Sequence, residues 1–553
     1  SRSTLLDIGS FFLGFNHENS AYSHPYNFLK MFFSKKNEKE VEKIIKNFHK
    51  YVAEESNSID TYEFAYVISS LRFFEYIFDN VEDAGEDTLS KEEIELNIFK
   101  AYTILNQENT VSGGKIASDS VENVVVEQKP AAISLALQLH NSDLVNYSVK
   151  KLFSTQLIRA ILFFEFLESE VEGKALVKAF YECYKVEGYS EYLKRLLPLP
   201  HAVIMKDKES FTDIVLDGNL DSKEDIEFLE NFMVKDTDIA DIDFRAIRSS
   251  PLYKIGDRKY RIISPMFVLE MIYNGLYWRF KPINDRLPKG EKVKNLYDLK
   301  TYNFSEKYVL HRILKEYYGK RYLQKNGEEL DAIYDGAPDY YVRNGKRIFL
   351  FESKDIMLSA EVKQSSDYAV IKKELIKKLY QKEDGTPKAI IQIVRNVKKI
   401  LKGNLSFDNA LKPHKVIVHP VLVLHYRMFN VPGLNKILNF WFQDELKKLL
   451  GEGLDTSRIR PLVIIDIDTL IFNKDAFAEK KISLEESLLE YQEEFIEFTL
   501  AGRKYYSETE AFQAQKNSYL PFDAYLEEKI DKMNLRNIPK KLVEKGFGLN
   551  GIY

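Results

Sequence analysis

Apolar residues recur at three- and four-residue spacing through most of the first 248 positions. Glu40–Ala53, Ile59–Phe78, Leu89–Leu105, Ala131–Leu144, Leu152–Leu167 and Val171–Leu197 each carry such a stripe, which predicts amphipathic helices. Between them, 106–129 is rich in Asn, Gly, Ser and Val and reads as a loop with one short strand at Val124–Val126. Near Pro251 the pattern changes. Leu252–Ile255 and Arg258–Ile263 read as a hairpin turning at Gly256-Asp257. An apolar helix over Met266–Phe280 and a polar linker over Pro282–Lys294 follow. Next come a helix (Ser305–Tyr318), short strands (Asp339–Phe351) and two helices (Asp367–Gln381 and Pro387–Leu401). A strand (Val416–Tyr426), a helix (Leu434–Leu450) and a strand (Leu462–Ile467) complete the series. Strands and helices mixed in this order argue α/β. From Leu484 the pattern is helical again, up to Gly551-Ile552-Tyr553.

These shifts divide the chain into a helical region at 1–248, a hairpin-and-helix connector at 249–294, an α/β domain at 295–480 and a helical tail at 481–553. A length of 553 residues accommodates three or so domains. The 45% hydrophobic and 29% charged composition excludes a disordered or collagen-like chain. A single cysteine, Cys183, excludes an internal disulfide framework and a multi-cysteine zinc site, and fits a reducing compartment. It lies in an apolar helix and reads as a small core residue. The chain starts on Ser1 rather than Met, which reads as a trimmed start. Leu5–Phe15 lacks the basic flank of a secretory leader, and Leu157–Leu167 is too short to cross a bilayer. A soluble, cytoplasmic protein without membrane contact is therefore expected.

The net charge of −5 argues against a nucleic-acid partner only as an average. Window 54–95 holds 13 acidic and 2 basic residues, read as a solvated helix face, with a protein-partner surface or a nucleic-acid mimic as the alternatives. Window 361–402 holds 11 basic and 5 acidic residues. Lys372, Lys373, Lys377 and Lys378 fall on one helix, and Arg395, Lys398, Lys399 and Lys402 on the next. Such clustering is the footprint of phosphate binding, with a solvated face as the alternative. Tyr340, Tyr341, Tyr368 and Tyr380 are weighed as rings for base stacking.

The sharpest chemistry lies between. Pro338-Asp339 is followed, after twelve intervening residues, by Glu352-Ser353-Lys354. Asn344-Gly345 between two strand-like runs signals a hairpin turn. A two-residue loop there sets Arg343 opposite Lys346 and Asp339 opposite Leu350. Alternation then puts Asp339, Glu352 and Lys354 on one face, with the carboxylates at a diagonal of about 7–8 Å. Phe349 and Phe351 take the other face and read as core. On the preceding helix, Glu306 falls on the stripe of Val309, Leu310, Ile313 and Tyr317, and a carboxylate on a buried face requires a partner or a metal. Glu316 is read as surface. Carboxylates suit Mg²⁺ and a phosphate substrate, and a nearby lysine suits the attacking water.

With Glu306 on a helix, Pro338-Asp339 on a strand and Glu352-Ser353-Lys354 on the next, roughly Tyr302 to Ile467 resembles the PD-(D/E)xK nuclease superfamily, which includes restriction endonucleases and RecB-like nucleases. The resemblance implies a restriction-endonuclease-like α/β core, a mixed central sheet flanked by helices, here with a large helical N-terminal region and a short helical tail. It implies Mg²⁺- or Mn²⁺-dependent hydrolysis of nucleic acid, DNA ahead of RNA. Asp339, Glu352 and the Ser353 carbonyl would hold the metal, with Glu306 supporting a second metal or the water. Lys354 would activate the water, and Gln392 would position Lys354 or a phosphate. RecB-like members carry Gln-x-x-x-Tyr on the following helix; here Gln392 is followed at that spacing by Asn396, not Tyr. A partner-controlled effector of restriction or anti-phage type fits the resemblance, as does a homo-oligomer. A silent nuclease fold acting as a binding module through the acidic helices is the reading from another class.

Other signals carry less. Val463–Asp468 resembles the first motif of haloacid-dehalogenase-type phosphatases, but Thr469 is out of place, and Asp466 and Asp468 read as strand-end caps. The nine histidines show no metal-type pairing; His311 and His425 are read as structural. No P-loop and no GxGxxG occurs.

Overall fold

In a computed structural model the described residues are 1–14, 24–54, 64–80, 88–145, 147–205, 211–216, 223–234, 241–333, 336–496, 518–535 and 539–540. The chain divides into two compact units. The first comprises Ser1–Lys115, Leu144–Gln156 and Phe180–Leu276, and the second Ile116–Asp143, Leu157–Ala179 and Tyr277–Tyr553. The second unit thus draws two pieces from the helical N-terminal half.

The first unit is mainly helical, with helices Glu38–Glu54 and Val67–Asn80 where the apolar stripes predict them, and a further helix, Arg2–Gly14, that no stripe predicts. Much of the acidic window and the terminal Gly551-Ile552-Tyr553 lie outside the described residues. The expected hairpin is present as β2 (Leu252–Gly256) and β3 (Lys259–Ile262), turning at Asp257-Arg258, one residue later than predicted. A further strand, β1 (Thr212–Val215), pairs antiparallel with β3. The 106–129 loop is corrected. Lys91–Asp119 is one helix, and Val124–Val126 lies in turns. Helix propagation adds one bond per residue once a nucleus exists, and Ala117 and Val121 are held in the second unit's core. Cys183 is exposed rather than core. It sits at the end of helix Gly173–Tyr184, where Lys185 at φ +53° turns the chain away.

The apolar helix expected at Met266–Phe280 is two helices, Pro265–Glu270 and Leu276–Arg286, and the second carries Pro282 inside it, so helix replaces the start of the predicted linker. The second unit centres on a five-stranded mixed sheet in the order β4-β5-β6-β7-β8. Its strands are β4 (Leu323–Asn326), β5 (Tyr340–Asn344), β6 (Arg347–Lys354), β7 (Ile417–Leu424) and β8 (Val463–Asp466). β4, β5 and β6 pair antiparallel; β6, β7 and β8 pair parallel. Ile348 and Leu350 join a core with Ile390, Ile393 and Val397 of helix Ala389–Leu401. On the opposite face, Phe349 and Phe351 pack on Tyr318, which ends helix His311–Tyr318. Among the described residues no helix is long and apolar enough to cross a membrane.

Candidate active site

The β5–β6 hairpin turns at Gly345-Lys346, not Asn344-Gly345. Asn344 pairs with Arg347 and Tyr340 with Phe351. Gly345 sits at φ +58°, a conformation favourable to glycine at the first turn position. The predicted pairing of Asp339 with Leu350 is thereby corrected. Continued by one residue, the register sets Asp339 opposite Glu352, closer than a diagonal. The face assignment survives, because moving the turn by one changes both strands together.

Asp339 is fixed by two contacts. Its Oδ2 accepts the Ser353 N–H at 2.6 Å. Its carbonyl accepts the Gly327 N–H at 2.8 Å, where a Cβ on Gly327 would stand 3.3 Å from that carbonyl oxygen. The N–H and C=O of one strand residue point to the same edge, so the Ser353 carbonyl faces the Asp339 side. Glu352 is 1% exposed. Its Oε1 accepts from the Lys354 ammonium at 2.6 Å, and its buried Oε2 has no hydrogen-bond partner.

Glu306 lies in Leu299–Leu310, a π-helix whose closing bond runs from the His311 N–H to the Glu306 carbonyl. Such wide turns are uncommon and recur at functional sites. The Glu306 carboxyl is 9% exposed. Burial pushes its pKa well above the usual carboxylate range, as do the nearby charges of Asp339 and Glu352, while Lys354 works against the rise. Burial raises Glu352 too, followed by Asp339, and burial likewise raises Asp339. Burial works against the Lys354 charge, yet Glu352 and Asp339 outweigh it and hold its pKa above the ordinary value. Three largely buried carboxyls thus share the Lys354 charge, and burial with their mutual repulsion pushes Glu352 up to about 8 and Glu306 to about 9. The structure therefore brings Glu306, Asp339, Glu352 and Lys354 together.

Gln392 stands on helix Ala389–Leu401, with its Oε1 buried and unpartnered. One turn earlier is Lys388, which sequence reading did not single out. Burial, then Lys382 and Lys354, lowers its pKa, so it stands near the Lys354 charge. Of the predicted phosphate contacts, Lys373, Lys377 and Arg395 are exposed, while Lys372, Lys378, Lys398 and Lys399 are half-buried. Lys378 pairs with Glu374 and Lys398 with Glu452. Tyr340, Tyr341 and Tyr368 are buried, so they offer no rings for stacking. Tyr341 donates to Asp408, and the half-buried Tyr380 donates to Glu445. Glu316 is exposed and pairs with Lys474.

A second polar cluster lies against the same strand end and was not read from sequence. Lys300 donates to both oxygens of Asp355 and to Tyr426, and Ser305 donates to Asp355 Oδ2. Ser353 Oγ and His425 Nε2 lie 2.8 Å apart, and Arg159 pairs with Asp468. Burial works against the Asp355 charge, but Lys300, then His425, Ser305 and Arg159, outweigh it and hold its pKa low. Asp466 caps the helix that follows β8, accepting the Asp468 N–H as the strand-end reading expects.

Among the described residues, no three His, Cys, Asp or Glu side chains are arranged to hold a metal ion by themselves. Mg²⁺ does not demand three, since it takes one or two carboxylates and completes its shell with water and phosphate. The unpartnered Glu352 oxygen, the all-oxygen donors and the raised carboxyls, whose ionised form a cation would stabilise, fit such an ion. No protein-family model, curated protein or solved structure matches the chain.

Proposed function

We propose that the second unit is a divalent-cation-dependent nuclease that hydrolyses phosphodiester bonds of nucleic acid, DNA ahead of RNA. The observation that carries this reading is the charge imbalance, three acids against one ammonium with a buried Glu352 oxygen left without a partner. Acids perturbed by burial and by specific charged neighbours are what a functional site requires.

Asp339 and Glu352, with the Ser353 carbonyl, would hold Mg²⁺ or Mn²⁺, and Glu306 would support a second ion or the water. When bound, the cation acidifies a water molecule and offsets charge on the phosphorus. Lys354, anchored on Glu352, directs its remaining N–H donors at the attacking oxygen and its growing charge. Glu306, which its raised pKa of about 9 keeps protonated near neutral pH, would hold the water by a hydrogen bond, and the water's proton would pass to the departing ester oxygen. Water oxygen bonds to phosphorus and the ester oxygen leaves with its electron pair. Lys388 and the basic helices beside it draw the phosphate in.

The test is cleavage of supercoiled plasmid and circular single-stranded DNA with Mg²⁺ or Mn²⁺. Asp339→Ala, Glu352→Ala and Lys354→Ala are each expected to lose about a thousandfold in rate. Full activity in Glu352→Ala or Lys354→Ala protein would sink the assignment. The second reading, a silent fold kept for binding, draws on there being no ready three-ligand cluster among the described residues. Calorimetric titration with Mn²⁺ separates the two, because a silent fold gives no heat.

A further inference from the structure

A single exposed apolar side chain needs no explanation, but contiguous exposed apolar surface marks interaction sites. One such surface adjoins the carboxylate cluster. Trp278 is 55% exposed, Tyr297 49% and Tyr302 42%. The Tyr277 ring links the first two, with its centroid 5.0 Å from Trp278 and 6.3 Å from Tyr297. Tyr302 and Lys307 lie five residues apart within the π-helix Leu299–Leu310, where that spacing is about one turn, and the Lys307 ammonium stands 4.3 Å from the Tyr302 ring. Tyr297 lies in the short helix Leu296–Asp298 that leads directly into it.

The surface is tied to the site by two short links. The Tyr297 hydroxyl donates to the Asp355 carbonyl at 3.4 Å, one residue beyond Lys354. Tyr302 is four residues from Glu306 on the same helix. Charge agrees with an anionic occupant. Residues 277–307 hold eight basic and four acidic side chains. Lys281 lies 5.9 Å from the Trp278 ring, and Lys307, although it pairs with Glu328 at 2.8 Å, remains beside Tyr302.

We propose that Trp278, Tyr297 and Tyr302 form a stacking surface for single-stranded nucleic acid, leading a strand with unpaired bases to the Glu306–Asp339–Glu352–Lys354 cluster. Rings interleaved with ammonium groups hold bases by their faces and phosphates by charge, whatever the sequence, and this is how single strands are bound. A duplex keeps its base faces inside the stack and gains only the charge. The proposal rests on the nuclease reading for the chemistry that follows, but binding is measured apart from cleavage.

The experiment is fluorescence anisotropy in EDTA, using a labelled thymidine oligonucleotide and a blunt duplex of equal length. The single strand is expected to bind about tenfold tighter or more. Trp278→Ala and Tyr302→Ala are each expected to weaken it by about 5- to 100-fold. Tyr297→Phe keeps the ring and loses only the hydroxyl, so it is expected to bind as wild type. Trp278→Phe retains binding while losing the quenching of tryptophan fluorescence by the strand. Equal affinity for duplex, or unchanged binding in both alanine variants, overturns the proposal even if cleavage is metal-dependent. If single-strand binding behaves as expected while Glu352→Ala cleaves fully, the surface stands and the nuclease reading falls.

Discussion

Glu352 and Asp355 are buried carboxylates three residues apart at the end of one strand, and their surroundings are opposite. Around Asp355, both oxygens accept hydrogen bonds, Lys300 matches the charge, and the pKa is held low. Around Glu352, one oxygen is bonded and the other is not. Two further acids share the Lys354 ammonium, and the pKa is pushed up. Burial alone therefore does not separate a structural acid from a candidate catalytic one. The bookkeeping of charge and hydrogen bonds around it does.

The largest contrast is expected in stability. Lys300→Met would strand the Asp355 charge in a site without solvent. Removing one partner of a buried pair costs about 3–5 kcal/mol. Lys354→Met removes the partner of Glu352, whose carboxyl is already pushed up to about 8 and can shed its charge by taking a proton, so a smaller loss of about 1 kcal/mol is expected near pH 6. Urea melts of the two variants measure the difference, and equal losses would erase the distinction between the clusters.

A smaller contrast is expected along the pH axis, with opposite signs. A carboxyl with a raised pKa stabilises the fold fully below its unfolded value, and that contribution is lost as pH rises through the folded one. Without metal, the Glu306–Asp339–Glu352 cluster should thus weaken the protein progressively from about pH 4.5 upward, through about 8 and 9 for Glu352 and Glu306. Asp355, held low, contributes above its usual 3.8, and that contribution fades as pH falls through its depressed value. Thermal melts in EDTA should show Glu352→Gln gaining a few degrees over wild type at alkaline pH. Asp355→Asn should lose its deficit only at acid pH. A Glu352→Gln curve parallel to wild type across the range would mean that the cluster is compensated by something not yet recognised.

How much of this was legible in the sequence differs between the two clusters for a physical reason. Asp339, Glu352 and Lys354 belong to one hairpin, where alternation fixes the face. The turn was placed one residue early, yet a shift that moves both strands leaves every residue on its face. Glu306 was legible because a carboxylate interrupts an apolar stripe. Lys300 and Asp355 are 55 residues apart in the chain, and no period links them, so only the fold reveals the pair. Edge strand β4 is short and polar, Leu-Gln-Lys-Asn, and carries no alternation to read. The helix through 106–119 was missed because Asn and Gly argue locally for a loop, while tertiary burial of Ala117 decides otherwise.

The smallest expected effect probes how tightly the unbalanced cluster is positioned. Gly327 begins the short helix after β4, and its N–H holds the Asp339 carbonyl. It has no positive φ, so alanine there is not strained by the backbone itself. Its Cβ would nevertheless press on Asp339, 3.3 Å from the carbonyl oxygen and 3.4 Å from the Cα. The neighbouring backbone must yield by a few tenths of an ångström. Stability should change little, because alanine gains about 0.5–1 kcal/mol of helix propensity over glycine against the new contact. Geometry at a site of shared carboxylates is less forgiving, since about 1 Å of displacement can cost a hundredfold in rate. Gly327→Ala is thus expected to melt within a degree or two of wild type while cleaving several-fold more slowly, with binding in EDTA unchanged. Asp355 lies away from this contact, so its acid-side titration should stay as in wild type. A parallel fall in melting temperature and rate would instead show that Gly327 supports the fold as a whole and not the placement of Asp339.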